Sequence, residues 1–130
     1  MDVTNQDQWT AAVEQIREKA SALHILMNIV GSNALVMLPE IDIDEWNQIF
    51  EINVAGTLRG MQTCAPLIKA SGGGSIVNIG SVAGITGNFG TGYSSSKWAL
   101  EGLSRSAARP AAPERQGRRD RLHGIVPRQR

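Results

Sequence analysis

Two short apolar runs, residues 23–31 and 75–80, each end on a glycine and are separated by a long stretch of helical periodicity. A continuous apolar run of this length, bounded by turn residues, suits a strand buried on both faces of a parallel sheet. Between the runs, Trp46, Phe50, Val54, Leu58, Met61 and Leu67 recur mostly at threes and fours, which predicts one helix over residues 45–69. A two-residue hairpin can join only antiparallel strands, whereas parallel neighbours need a crossover such as this helix. Strand, helix, strand is therefore the unit that limits what the chain can build.

The flanking segments extend the same alternation. Trp9, Ala12, Val13, Ile16 and Ala20 lie on one helical face, with Thr4 or Asn5 as N-cap. Residues 32–39 read as a loop, and Asp44 is the expected N-cap of the long helix, with Asn47 at the capping-box position. Ala70-Ser-Gly-Gly-Gly74 is a breaker cluster before the second strand, and residues 93–106 read as a closing helix. Helix, strand, helix, strand, helix is an α/β pattern: part of a doubly wound parallel sheet, incomplete at this length.

Chemistry concentrates in residues 81–97. Tyr93 and Lys97 are four apart, so a helix through them stacks both side chains on one face. A free phenol titrates near ~10, and an adjacent ammonium favours its ionised form. Reaching neutrality takes about three units, roughly 4 kcal/mol, and yields a general acid/base. Ser81 ends the second apolar run, where a strand delivers its hydroxyl to the same place. Asn53 is a polar residue inside an otherwise apolar helical stretch; on spacing alone it is equally a buried amide satisfying local backbone.

Residues 72–104 closely resemble the short-chain dehydrogenase/reductase family in its classical form. The resemblance rests on Tyr93-Ser-Ser-Ser-Lys97, on Gly-Gly-Gly-Ser-Ile-Val-Asn-Ile-Gly-Ser-Val-Ala-Gly before it and on Trp-Ala-Leu-Glu-Gly-Leu-Ser after it. It implies a Rossmann-like fold and hydride transfer between NAD or NADP and a small-molecule carbonyl or secondary alcohol. It further implies Tyr93 as proton donor and acceptor, Lys97 as the tuning and ribose-holding cation, Ser81 on the substrate oxygen and Asn53 holding a relay water. Asp2-Val3 resembles the pair that closes over the adenine, and Asn28-Ile-Val-Gly31 stands where the family has Asn-Asn-Ala-Gly, which assigns Asn28 and Gly31 to the cofactor side. The two long helices imply a homo-oligomeric interface in a full-length member.

The departures are specific. Ser81 and Tyr93 are one residue closer than the family pattern, and Ile29 and Val30 replace its second Asn and Ala. No Gly-rich strand-to-helix turn precedes Asp2, so the chain reads as N-terminally truncated, and a non-catalytic fragment or partner subunit is the alternative function. Composition sharpens the boundary at the other end. The net charge of +1 divides into five basic against ten acidic side chains over residues 1–104, and eight arginines against two acids over residues 105–130. With Pro110 and Pro113 breaking the helix, the expected domain is residues 1–106. Residues 107–130 form an Arg/Pro/Ala-rich tail, either disordered or read from a shifted frame. That tail has no aromatic residue for stacking bases, so no nucleic-acid partner is expected. The single Cys64 excludes an internal disulfide and fits a reducing, cytoplasmic setting, with the thiol as a buried small hydrophobe. His24 and His123 lack partners at metal-ligand spacing, so no metal is expected, and no run is long enough for a membrane span.

Overall fold

The computed structural model describes residues 1–109, so the expectations for the rest of the tail, and for His123, lie outside the described residues. Helix α1 (Gln6–Ala20) is capped by Asn5, whose side-chain oxygen accepts from the Gln8 N–H at 3.1 Å. Thr4 serves the preceding turn instead: its N–H and hydroxyl each donate to the Asp2 carboxylate at 2.8 Å, and these bonds hold that carboxyl below its usual range. Strand β1 (Ile25–Asn28) follows, then a loop and α2 (Ile43–Phe50). Helix α2 starts ahead of Asp44. Asp42 is its N-cap, without a side-chain bond, and the expected Asp44/Asn47 box does not form. Asp44 and Glu45 fall instead in the first turn, where carboxylates complement the helix dipole.

The predicted long helix is continuous but not uniform. Between α2 and α3 (Gly56–Ala70) lies one π turn, Glu51–Ala55, in which the Gly56 N–H bonds five residues back to Glu51. Strand β2 (Ser75–Asn78), a 3-10 turn (Val82–Gly84) and α4 (Thr91–Ala107) complete the described order. Strands β1 and β2 pair in parallel, with Ile25 opposite Ser75 and Asn28 opposite Asn78. The α/β crossover unit read from the sequence is thus present.

Burial of the strands corrects one expectation. Leu26 and Ile76 turn toward the core formed by Trp9, Val13, Cys64, Leu67 and Ile68. Their strand neighbours point the other way, and Ile25 and Met27 are 61% and 55% exposed. The strands are therefore covered on one face, not two, because the described helices that reach the sheet pack on the Leu26/Ile76 side. A polar ladder completes that covered face. Asn28 Nδ2 donates to Asn78 Oδ1 at 2.8 Å, Asn78 Nδ2 donates to Ser104 Oγ at 3.0 Å, and Ser104 donates to the Leu100 carbonyl. It joins both strands to α4 with each amide engaged, the condition for a buried polar group to be tolerated. Among the described residues, no helix is long and apolar enough to cross a membrane.

Cys64 is buried, and desolvation pushes its thiol above the ordinary 9.0. The fold holds the neutral thiol, so this contribution to stability is intact below 9.0 and is lost as pH rises through the folded-state value. Thermal unfolding across pH ~8 to ~11 is expected to show a steeper alkaline decline for the natural chain than for Cys64→Ala. One-sided burial gives a second expectation. Leu67→Ala lowers the unfolding free energy by about 2–5 kcal/mol, whereas Met27→Gln changes it by no more than ~0.5 kcal/mol, both read from denaturant titrations.

Candidate active site

Helix α4 starts abruptly after Gly90 (φ 71°), with no side-chain cap. The Thr91 N–H donates to the Val36 carbonyl at 2.9 Å, which pins the loop after β1 to the start of this helix. A Cβ on Gly90 would enter the Ala34 carbonyl oxygen, so both the backbone angle and the close approach require glycine. On the other side, a Cβ on Gly84 would come within 2.9 Å of the Lys97 carbonyl oxygen, so the 3-10 turn seats directly on α4. The first turns of α4 are thereby fixed from two directions.

Tyr93 and Lys97 project from this fixed segment. The Lys97 Nζ lies 5.7 Å from the centre of the Tyr93 ring and donates to the Ile79 carbonyl at 3.2 Å. Lys97 is only 4% exposed. Its ammonium has three donors, and that carbonyl is the hydrogen-bond acceptor it meets among the described residues. The others are available to a cleft of about 300 Å³ lined by Gly31, Ser32, Ile79, Gly80, Tyr93 and Lys97, among others. A Cβ on Gly31 would lie 3.6 Å from Lys97 Nζ and 3.8 Å from Asn53 Oδ1, so a bare backbone at this position keeps the space in front of the ammonium.

Asn53 sits at the centre of the π turn with 0% exposure. Its Oδ1 accepts from the Ser32 N–H at 2.7 Å, and its Nδ2 donates to the Ser32 carbonyl at 2.8 Å and to Ser96 Oγ at 2.9 Å. The amide thus clasps the cleft wall and joins it to α4. Four sequence-selected residues, Gly31, Asn53, Tyr93 and Lys97, meet here.

The others are not among the residues that line this cleft. Ser81 follows Gly80 and caps the 3-10 turn, its Oγ accepting from the Ala83 N–H at 3.1 Å. Among the described residues it has no hydrogen bond to Tyr93 or Lys97. Asn28 is turned to Asn78 beneath the sheet. Asp2 and Val3 belong to the turn before α1, where the Val3 carbonyl accepts from Trp9 Nε1 at 3.0 Å and the Val3 side chain presses against Gly56. Sequence reasoning overlooked Ser96 and Ser32, which bond to Asn53. For Ser96 a signal existed: three consecutive serines span Tyr93 to Lys97, and a hydroxyl on the inner face of a packed helix needs a partner. Among the described residues, no group of three His, Cys, Asp or Glu side chains could hold a metal.

Comparison with known proteins follows the same lines. The short chain dehydrogenase family model matches residues 1–116. The trans-4-hydroxycyclohexanecarboxylate dehydrogenase of Sinomonas cyclohexanicum is 37% identical over 114 residues, spanning 87% of this chain and 44% of that protein. A 3-alpha-(or 20-beta)-hydroxysteroid dehydrogenase of Mycobacterium tuberculosis is 34% identical over the same shares of the two chains. Among solved structures, ElxO with NADP bound superposes with a TM-score of 0.78 at 30% identity, over 83% of this chain and 44% of its own. The chain therefore spans about half the length of these relatives, and the likeness identifies its partial sheet as part of a Rossmann-like fold.

Gly31, which lines the cleft, and Gly90, which precedes α4, should respond differently to a methyl group. Gly31→Ala meets only ordinary contact distances and is expected to keep the thermal midpoint near that of the natural chain. Gly90→Ala combines a positive φ with a backbone collision and is expected to lower that midpoint sharply. Differential scanning fluorimetry of the two variants side by side reads this directly.

Proposed function

The chain belongs to the short chain dehydrogenase family, and from that premise we propose that it carries the proton-transfer part of an NAD- or NADP-dependent oxidoreductase acting on a small-molecule carbonyl or secondary alcohol. The observation that supports the reading best is the nearly buried Lys97 ammonium beside the Tyr93 ring, at the wall of an open cleft. A bound nicotinamide supplies or takes up the hydride in this chemistry. The chain's own part is the proton. Tyr93 Oη donates it to a carbonyl oxygen or removes it from an alcohol, and Lys97 places positive charge where the phenolate forms.

The remaining assignments rest on the family resemblance, with position as support. Lys97 has donors free for ribose-type hydroxyls, and Gly31 leaves the room for them. Ser81 Oγ accepts from Ala83 and so retains its own O–H to donate toward a substrate oxygen at the rim beside Gly80. Asn53 holds the wall against which a relay water would sit. Asp2 and Val3, in the turn before α1, are assigned to the adenine end by their resemblance to the family's pair. Asn28, its amide engaged with Asn78, is assigned to supporting the cleft from below.

The outward face of the sheet favours a second reading. Ile25, Met27, Ile29, Val77 and Ile79 are all exposed there, which suits a segment working as a non-catalytic subunit packed against further polypeptide.

Fluorescence titration with NADH and NADPH distinguishes the two. Saturable binding that weakens at least tenfold in Lys97→Met, and persists in Tyr93→Phe, is the expected result. Turnover of a secondary alcohol should then fall by about 10²- to 10⁴-fold in Tyr93→Phe. Absence of saturation up to millimolar cofactor would sink the enzymatic reading and leave the non-catalytic one.

A further inference from the structure

Hydroxyls in the helices of this chain commonly bond back to the carbonyl four residues earlier: Thr10 to Gln6, Thr57 to Asn53, Thr63 to Arg59, Ser95 to Thr91 and Ser104 to Leu100. Ser96 departs from this pattern. Its hydroxyl donates three residues back, to the Tyr93 carbonyl at 2.8 Å, and at the same time accepts from Asn53 Nδ2 at 2.9 Å. It has 0% exposure, so it has no water to exchange these partners for. The result is an unbroken line of hydrogen bonds from the Ser32 backbone through the Asn53 amide and the Ser96 hydroxyl to the main chain of the residue that bears the phenol.

We propose that Ser96 is a positioning residue of this site, fixing Tyr93 against the cleft wall by tying its carbonyl to the Asn53 amide. The inference rests on the reading of Tyr93 as the proton-transfer group, but it concerns where the ring is held rather than what it does. Asn53 is set by the π turn and by both polar groups of Ser32, so its Nδ2 is a stationary donor. Ser96 transmits that fixed point across the packing between the π turn and α4. A hydroxyl is well suited to the task, since one small group must accept from an amide and donate to a carbonyl at once. An alanine there breaks both bonds and removes the hydrogen-bonded link between the Asn53 amide and the Tyr93 carbonyl.

Tyr93 is the single tyrosine in the chain, so incorporation of 3-fluorotyrosine gives one ¹⁹F resonance that reports the ring's surroundings without cofactor or turnover. Ser96→Ala is expected to displace that resonance by more than its line width, while Ser95→Ala, which loses a hydroxyl from the same helix turn, leaves it in place. Asn53→Ala should produce the same displacement, and the double variant no more than either alone, because the two residues act in one line. Ser96→Cys, which keeps a weak donor and acceptor in a slightly larger side chain, should also shift the signal, and serves if the alanine variant does not fold. An unmoved resonance in Ser96→Ala or Ser96→Cys, or additive displacements in the double variant, would overturn the proposal. Retained turnover in Tyr93→Phe would instead sink the proton-transfer reading and leave the ¹⁹F result standing.

Discussion

The arrangement of this site depends on one buried amide. Asn53 presents an acceptor and a donor to the backbone of Ser32 and a second donor to Ser96, and so binds three separate stretches of chain at one point. In a low-dielectric interior such bonds are strong when complete and costly when one partner is missing. The π turn is what makes them complete. It inserts an extra residue into the helical winding, so that the turn carrying Asn53 faces the loop after β1 while α3 continues toward Leu67 and the core. Removing the bulge would rotate either Asn53 out of the site or Leu67 out of the core.

Much of this was legible in the sequence. The two strands, the crossover and the closing helix follow from apolar runs, glycines and period, and the structure places them in that order. The pairing of Tyr93 with Lys97 needs only the pitch of a helix. What could not be read is equally specific. Residues 45–69 carry the same apolar spacing whether the helix winds uniformly or contains a π turn, because one extra residue disturbs the pattern less than the scatter of natural sequences. Strand burial was misjudged for a related reason: an apolar side chain records that a surface is to be covered, not which polypeptide covers it. The N-caps show the reverse limit, since Asp42 and Asp44 are chemically identical and only the geometry of the entering loop selects between them.

The electrostatic character of the cleft follows from its walls. An ammonium at 4% exposure would ordinarily be unfavourable unless its donors are met. Here one meets the Ile79 carbonyl just past the end of β2, and the aromatic face of Tyr93 lies within cation–π range at 5.7 Å. The charge is therefore held in place before any ligand arrives. Preorganised charge of this kind is what allows a site to stabilise a developing anion without first rearranging itself.

The one-sided sheet has a consequence for behaviour in solution. Both long edges of the β1–β2 pair lack a strand neighbour among the described residues, and the outward face carries Ile25, Met27, Val77 and Ile79 in adjacent rows. Open edges next to an apolar surface form a template to which any extended segment can add. Each added strand buries more of that surface and presents a fresh edge in turn. Growth of this kind rises with concentration and lacks the closed symmetry that stops a specific oligomer at a fixed size. The apolar rows on the outward face of this pair thus mark where a further strand would add to the described sheet.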